Sequence, residues 1–164
     1  MILIVALTVI ALDQLSKYLV SIYLPLGGAW SPLPGPHPLF QIVHTYNTGV
    51  AFGMFKDLGP VFIVIALIIS GVIIVYARKL RSDQWLTCLA LGFMLGGAVG
   101  NVIDRLRLGH VIDFFDVGVG TLRNASNMAD WAIVSGVILL GLATLLDERK
   151  QKKAHASETS HSGS

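Results

Sequence analysis

Charge is what this sequence most lacks. Of its 164 residues only 13% are Asp, Glu, Lys or Arg, while 54% are hydrophobic; soluble domains carry about 25% charged residues. A chain of this length makes one domain, and a domain so small buries only about two-thirds of the surface its unfolded form exposes. So much apolar surface cannot be hidden from water in one core, which excludes a soluble enzyme and leaves lipid as the solvent. Cysteine is nearly missing too. Cys88 stands alone, so neither a disulfide framework nor a zinc ribbon can be built. A net charge of +2, with no basic run interleaved with aromatics, gives no reason to expect nucleic acid. No internal repeat is present.

What the sequence does have is long apolar runs. A bilayer core of about 30 Å takes roughly 20 apolar residues as a helix, and four stretches answer to that: Met1 to about Leu24, Val61–Ala77, Trp85–Gly100 and Trp131–Leu146. The last two are short and need extra residues at an end, such as Met128–Asp130 before the fourth. The first lacks the basic lead-in and small-residue cleavage site of a secretory signal peptide, and Asp13 and Lys17 interrupt it, so it reads as a retained span. Arg78, Lys79 and Arg81 lie between the second and third spans; Arg149, Lys150, Lys152 and Lys153 follow the fourth. These cations mark the cytoplasmic side, putting both termini inside. The two longer connections, which carry Lys56, Arg105, Arg107 and Arg123, then lie outside. In the first of these, Leu39–Phe55 mixes aromatics, β-branched residues and glycines and reads as short strands on the membrane surface. In the second, His110–Phe114 alternates like a strand. Residues 1–147 form a single integral-membrane domain, and 148–164 a polar tail that frays and then becomes disordered.

The ten carboxylates are unevenly placed. Asp13, Asp104, Asp113, Asp116 and Asp130 lie in or beside the outer halves of the spans, where an ionised group is costly and needs a partner or a purpose. Each also has an ordinary explanation. Asp13 and Lys17, at i and i+4, can simply pair. Asn101, Asp104 and Arg105 share one helix face and could anchor it at the interface, since Arg snorkels at helix ends. Asp130 could cap the fourth helix; alternatively Asn127, three residues earlier, is the cap and Asp130 faces the bundle. Gly92, Gly96 and Gly100 read as a close-packing stripe. His110 precedes Asp113 by three residues, but His37 and His44 are the only other outer histidines and no HExxH occurs, so no metal is expected.

Two acids from separate elements at one interface suggest more than capping. A close pair holds one proton over a wide pH range. The ionised member can deprotonate water for attack on an amide, while the protonated one polarises the carbonyl; neither metal nor cofactor is required. Ser70 and Ser135 lie in charge-free spans with no base nearby, and no GxGD segment is present. Asp104, Arg105, Gly109, Asp113 and Asp116 faintly echo the divalent-metal motif of phospholipid headgroup transferases, without its upstream acidic half. That transferase chemistry, or a non-catalytic membrane binding protein, is the alternative.

Five segments appear in order: Leu12-Asp13-Gln14 with Ser16-Lys17; Tyr46–Phe52; Gly100–Arg105; Gly109–Phe114; and Asn127–Asp130. Together, over Leu12–Leu146, they resemble the lipoprotein signal peptidase family, bacterial signal peptidase II. The resemblance implies an aspartyl endopeptidase of the bacterial inner membrane that cleaves prolipoproteins just before a diacylglyceryl-modified cysteine. By motif its catalytic pair is Asp113 and Asp130, with Asp13, Lys17, Asn47, Asn101, Asp104, Arg105 and Asn127 shaping and supporting the site. It further implies an α-helical membrane protein of four transmembrane helices with a small extracytoplasmic β-cradle and a short interfacial helix or loop, to which part of Val117–Arg123 would belong. The active site would face outward. A lipid-modified precursor, membrane lipids and inhibitory globomycin-type cyclic peptides are the implied partners, and a monomer is expected.

Overall fold

The computed structural model describes residues 1–32, 39–48, 58–81 and 83–161. Lys56, Asp57, His37 and the part of Leu39–Phe55 beyond Thr48 lie outside the described residues. Among the described residues four helices are long and apolar enough to cross a membrane: α1 (Ile2–Tyr23), α2 (Gly59–Ala77), α3 (Trp85–Leu108) and α4 (Met128–His161). The chain is a multi-pass membrane protein. A four-stranded antiparallel sheet joins them at one end, in the order β1 (Ala29–Trp30), β2 (Phe40–Asn47), β3 (Val111–Val119) and β4 (Leu122–Ser126).

Helix α3 is the axis of the bundle. Of its most apolar window 61% is buried, against 22% or less for the other three, and α1, α2 and α4 all pack on it. Its glycines permit this. A methyl group on Gly96 would meet the Ala6 carbonyl of α1, and one on Gly97 would run into the Ala129 carbonyl of α4. Between helices in lipid, small residues are what let backbones approach, so the glycine stripe of α3 packs as its spacing suggests.

Two helices run further than their apolar runs. α3 continues past Gly100 to Leu108, carrying Asn101, Asp104 and Arg105 beyond the hydrophobic stretch. It stops at Gly109, whose φ of 78° is the left-handed conformation that ends helices and favours glycine. α4 begins at Met128 and extends through the polar segment after Leu146 to His161, where the composition suggests fraying.

Val117–Arg123 forms neither an interfacial helix nor an open loop. Val119 pairs with Leu122 and Gly118 with Arg123, so the segment is the end of a β-hairpin turning at Gly120-Thr121. Gly118 is needed there, because a Cβ would collide with the Leu122 carbonyl. The β2–β3 ladder carries one irregularity: Ile42 pairs with Phe115 but Thr45 with Asp113. Three residues on one strand span two on the other, a β-bulge. Before the bulge Phe40 and Ile42 share a face with Phe115; after it Thr45 and Asn47 do. The extra residue thus puts Asn47 on the face of Asp113.

Candidate active site

Strand alternation on β3 directs Asp113 into the space above the bundle. Its Oδ2 accepts from Asn47 Nδ2 at 2.8 Å and its Oδ1 from Asn127 Nδ2 at 2.7 Å. Asn127 is fully buried and is the N-cap of α4. Its Oδ1 accepts from the Asp130 backbone N–H at 3.0 Å, and Asp130 Oδ2 accepts in return from the Asn127 backbone N–H at 3.4 Å. This reciprocal arrangement is a capping box. One asparagine side chain therefore touches both Asp113 and the helical turn that carries Asp130.

The other oxygen of Asp130 looks toward α3, where Oδ1 accepts from Asn101 Nδ2 at 2.8 Å. The orientation of that amide is not free. Asn101 Oδ1 accepts from the Lys17 ammonium at 3.2 Å, so its N–H groups must point the opposite way, at Asp130. Lys17 is 2.8 Å from both Asp13 Oδ2 and Asp104 Oδ2, and all three side chains are buried. Asp13 Oδ1 accepts the Ala129 backbone N–H at 2.9 Å, one of the orphan donors at the start of α4. Asp104 Oδ2 also accepts the Ile112 N–H at 3.3 Å, tying the start of β3 to α3.

Asp113 and Asp130 line one cavity of about 480 Å³. Asn47, Asn101 and Arg105 make its polar side, β4 contributes Asn124, Ala125 and Ser126, and Phe62, Trp131 and Val134 are its apolar wall. The Arg105 guanidinium sits 5.5 Å from the Phe62 ring centre, a cation–π distance, and its Nη1 donates to the Asn101 carbonyl at 3.4 Å. Burial pushes the Asp113 carboxyl up from its ordinary 3.8 to about 6; the Asp130 charge adds to the rise, while the Asn47 and Asn127 amides and Lys17 oppose it. Asp113 thus keeps its proton well above the ordinary carboxyl range, because burial disfavours the charged form.

Every residue singled out for the site from sequence belongs to this one network or cavity. Asp116 does not. It lies on the opposite face of β3, where its Oδ2 accepts from Gln41 Nε2 at 2.5 Å and Arg123 Nε at 2.7 Å. Nor does His110, whose ring stacks 3.8 Å from that of Tyr46. Among the described residues no three His, Cys, Asp or Glu side chains are grouped to hold a metal ion. The sequence reading missed Gln14, which donates to Asp104 at 2.8 Å, Asp13 at 3.2 Å and the Gly100 carbonyl at 3.4 Å. An uncharged amide beside Asp13 in an apolar run was the available signal. It also missed Trp131, whose indole N–H donates to Ser126 Oγ at 3.1 Å; an aromatic residue at a span end carries no such signal, since interfacial belts supply the same pattern.

Comparison with known proteins agrees in extent and in kind. The family profile described as Signal peptidase (SPase) II matches residues 5–146. The lipoprotein signal peptidase of Geobacter metallireducens is 43% identical over 148 residues, covering 88% of this chain and 90% of its own. That of Moorella thermoacetica is 39% identical over 149 residues, covering 91% and 95%. A solved bacterial membrane enzyme superposes with a TM-score of 0.79 at 28% identity, covering 90% of this chain and 88% of its own. A shared fold, a match over most of the chain and close relatives leave one conclusion: the chain belongs to the signal peptidase II family.

Proposed function

We propose that Asp113 and Asp130 are the catalytic pair with which this aspartic peptidase removes signal peptides from diacylglyceryl-modified prolipoproteins, cutting on the N-terminal side of the lipidated cysteine. The carrying observation is Asn127, which bonds to Asp113 through its side chain and to Asp130 through its cap. It fixes two acids from separate elements on a common cavity.

The geometry favours a division of labour. Asp130 is the base. It is half-buried rather than sealed, it stands in the first turn of α4, where the helix dipole stabilises negative charge, and it accepts from the Asn101 amide that Lys17 polarises. Asp113, buried and raised toward 6, is the acid. Asp130 takes a proton from water as the water oxygen attacks the scissile carbonyl carbon, while Asp113 gives its proton to the carbonyl oxygen. As the C–N bond breaks, Asp130 passes its proton to the departing amine and Asp113 recovers its own from the collapsing diol. Two protons move out and two return, and both carboxyls are reset. Asp13, Lys17, Asp104, Asn47, Asn101 and Asn127 hold the pair in place. Arg105 offers a cation to the substrate's carbonyls or a lipid phosphate.

Delivery follows from the cavity walls. Phe62 of α2 faces Trp131 and Val134 of α4, and α2 packs chiefly on α3. An acyl-bearing substrate, soluble only in lipid, enters sideways and lays its chains on that wall. The dyad lies at the end of the bundle opposite the Arg78–Arg81 loop, so the positive-inside rule sets it at the outer face of the inner membrane with both termini cytoplasmic. Residues 1–147 act as one peptidase domain and as a monomer, 148–164 are an extension on the inner side, and globomycin-type peptides occupy the dyad.

The test is a gel-shift assay with purified protein and a lipid-modified precursor. The parent cleaves it and Asp113→Asn and Asp130→Asn, though folded, do not; normal cleavage by either variant would defeat the assignment. Cleavage undiminished by a strong chelator separates it from metal-dependent headgroup transfer.

A further inference from the structure

Among the described residues β4 is an edge strand of the sheet, and the hydrogen bonds of β3 fix the direction in which its peptide groups point. The Gly118 N–H donates to the Leu39 carbonyl at 3.0 Å, on the β2 side of β3. In antiparallel strands both backbone groups of a residue point the same way and alternate along the chain. Gly118 and Asp116 therefore turn toward β2, and Phe115 and Val117 toward β4. It follows that Ser126 and Asn124, paired with Phe115 and Val117, bond back to β3. Ala125, paired with Asp116, points its N–H and C=O away from the sheet. Among the described residues nothing pairs with them, and Ala125 lines the cavity that holds Asp113 and Asp130. A hydrophilic strand edge opening beside a catalytic pair, two residues before the asparagine that holds both acids, is a template for an extended peptide.

We infer that the residues following the lipid-modified cysteine bind as a fifth strand on β4, antiparallel to it, with one substrate residue exchanging both backbone hydrogen bonds with Ala125. Chain direction selects this segment. β4 descends from the hairpin tip toward α4 and the dyad, whereas a precursor leaving the membrane runs outward, so the two meet head to tail. At roughly 3.3 Å per residue, Ala125 lies about 7 Å along the strand from Asn127, which places its partner two or three residues beyond the scissile bond. Recognition by main chain alone holds the peptide over the acids while leaving its side chains unread. The inference rests on the peptidase reading above.

The experiment uses the whole purified protein and synthetic lipid-modified precursor peptides. In these, the backbone amides at the first four positions after the cysteine are replaced by esters one at a time, each removing one N–H donor. A single lost hydrogen bond weakens binding by roughly fivefold to tenfold. KM should rise by that factor at one position and by less than twofold at its immediate neighbours, with kcat nearly unchanged. Ala125→Pro, which removes an N–H that the β3–β4 ladder does not use, should raise KM for the all-amide peptide by a similar factor. Should that variant fold poorly, the ester series decides alone. A flat profile, with cleavage still abolished by Asp113→Asn, overturns the fifth strand and leaves the peptidase standing. Failure of the parent to cleave any of the peptides would overturn both.

Discussion

Two groups of acids sit within one network at the same end of the bundle, and they are built for different ends. Asp13 and Asp104 share Lys17 between them at 2.8 Å each; the Ala129 backbone N–H takes up the other oxygen of Asp13 and Gln14 that of Asp104, while Gln14 and the Ile112 N–H add to the oxygens that face Lys17. They are sealed and charge-balanced in part, and do not line the cavity that holds Asp113 and Asp130. Among the described residues Asp113 and Asp130 receive neutral donors, the amides of Asn47, Asn101 and Asn127 and a backbone N–H, and both face open space. An ammonium in direct contact would lock both carboxylates in the ionised form; amides orient them and leave a proton free to move. Burial of an acid at membrane depth is thus not by itself a catalytic signal. What its oxygens face is.

The sharpest way to break this contrast is to neutralise one acid of each kind. Asp113→Asn or Asp130→Asn should lower kcat/KM by about 10³- to 10⁴-fold, roughly 4–5.5 kcal/mol of barrier, in a protein that keeps its fold. Asp13→Asn should show the reverse, with its main cost in thermal stability. If Asp13→Asn stops cleavage without loosening the protein, the division drawn above is wrong.

Next in size is Lys17→Met, which strands two buried carboxylates. Breaking a buried pair by removing one partner costs about 3 kcal/mol or more, measurable as a lowered unfolding midpoint in detergent or bicelles. Activity should fall as well, because Asn101 loses the cation that orients its amide toward Asp130. Lys17→Met combined with Asp104→Asn should recover part of the stability, since one of the two uncompensated charges is then gone.

How far the sequence foretells these roles differs from residue to residue. The spans are legible because hydropathy is a local property. Their ends are not: α3 outruns Gly100 because Asn101, Asp104 and Arg105 are polar toward a site rather than toward water, and no window average separates those cases. Gly109 was the readable stop. Asp113 stands out through alternation in a β-branched and aromatic strand, whereas β4, Leu-Arg-Asn-Ala-Ser, has little strand propensity and exists because β3 lies beside it. The bulge that turns Asn47 toward Asp113 depends on register between distant strands. The choice between Asn127 and Asp130 as cap could not be made from the spacing either, because in the capping box both take part.

Asn127 joins the two acids, so its removal should register in both stability and rate. Asn127→Ala deletes an N-cap, worth about 1 kcal/mol, and a buried hydrogen bond to Asp113 of similar size. A loss of about 2 kcal/mol in stability together with a clear drop in kcat is expected. Asn127→Asp restores the cap but brings a third carboxylate against Asp113, so it should rescue stability more than rate.

A subtler probe is pH. Asp113 must be protonated to act as the acid, so kcat/KM should fall as pH rises through about 6. Because the folded value exceeds the ordinary 3.8, the stability that the protonated form contributes is fully present below 3.8 and is lost between there and about 6 as pH rises. The Asn47 amide favours the ionised form. Asn47→Ala should therefore move the descending limb to higher pH, whereas a change at the sealed Lys17 cluster that preserves its charge should leave it near its place. An ascending limb that moves to higher pH in Asn47→Ala, with the descending limb left in place, would reverse the assignment of acid and base.

The smallest effect is expected at Asp116, and it tests whether proximity alone counts. Asp116 is buried at the same boundary, on the same strand, three residues from Asp113. The odd spacing turns it to the other face, where Arg123 and Gln41 hold it. Arg123 is partly exposed, so solvent screens the pair and its worth stays near that of a surface ion pair. Asp116→Asn keeps an acceptor oxygen for one of those donors and should cost about 1 kcal/mol or less, with kcat/KM within twofold of the parent and an unmoved pH profile. A large loss of activity there would mean that the sheet transmits charge to the dyad from its far face, and that which way an aspartate points is a poorer guide to its role than the contrast between the two groups implies.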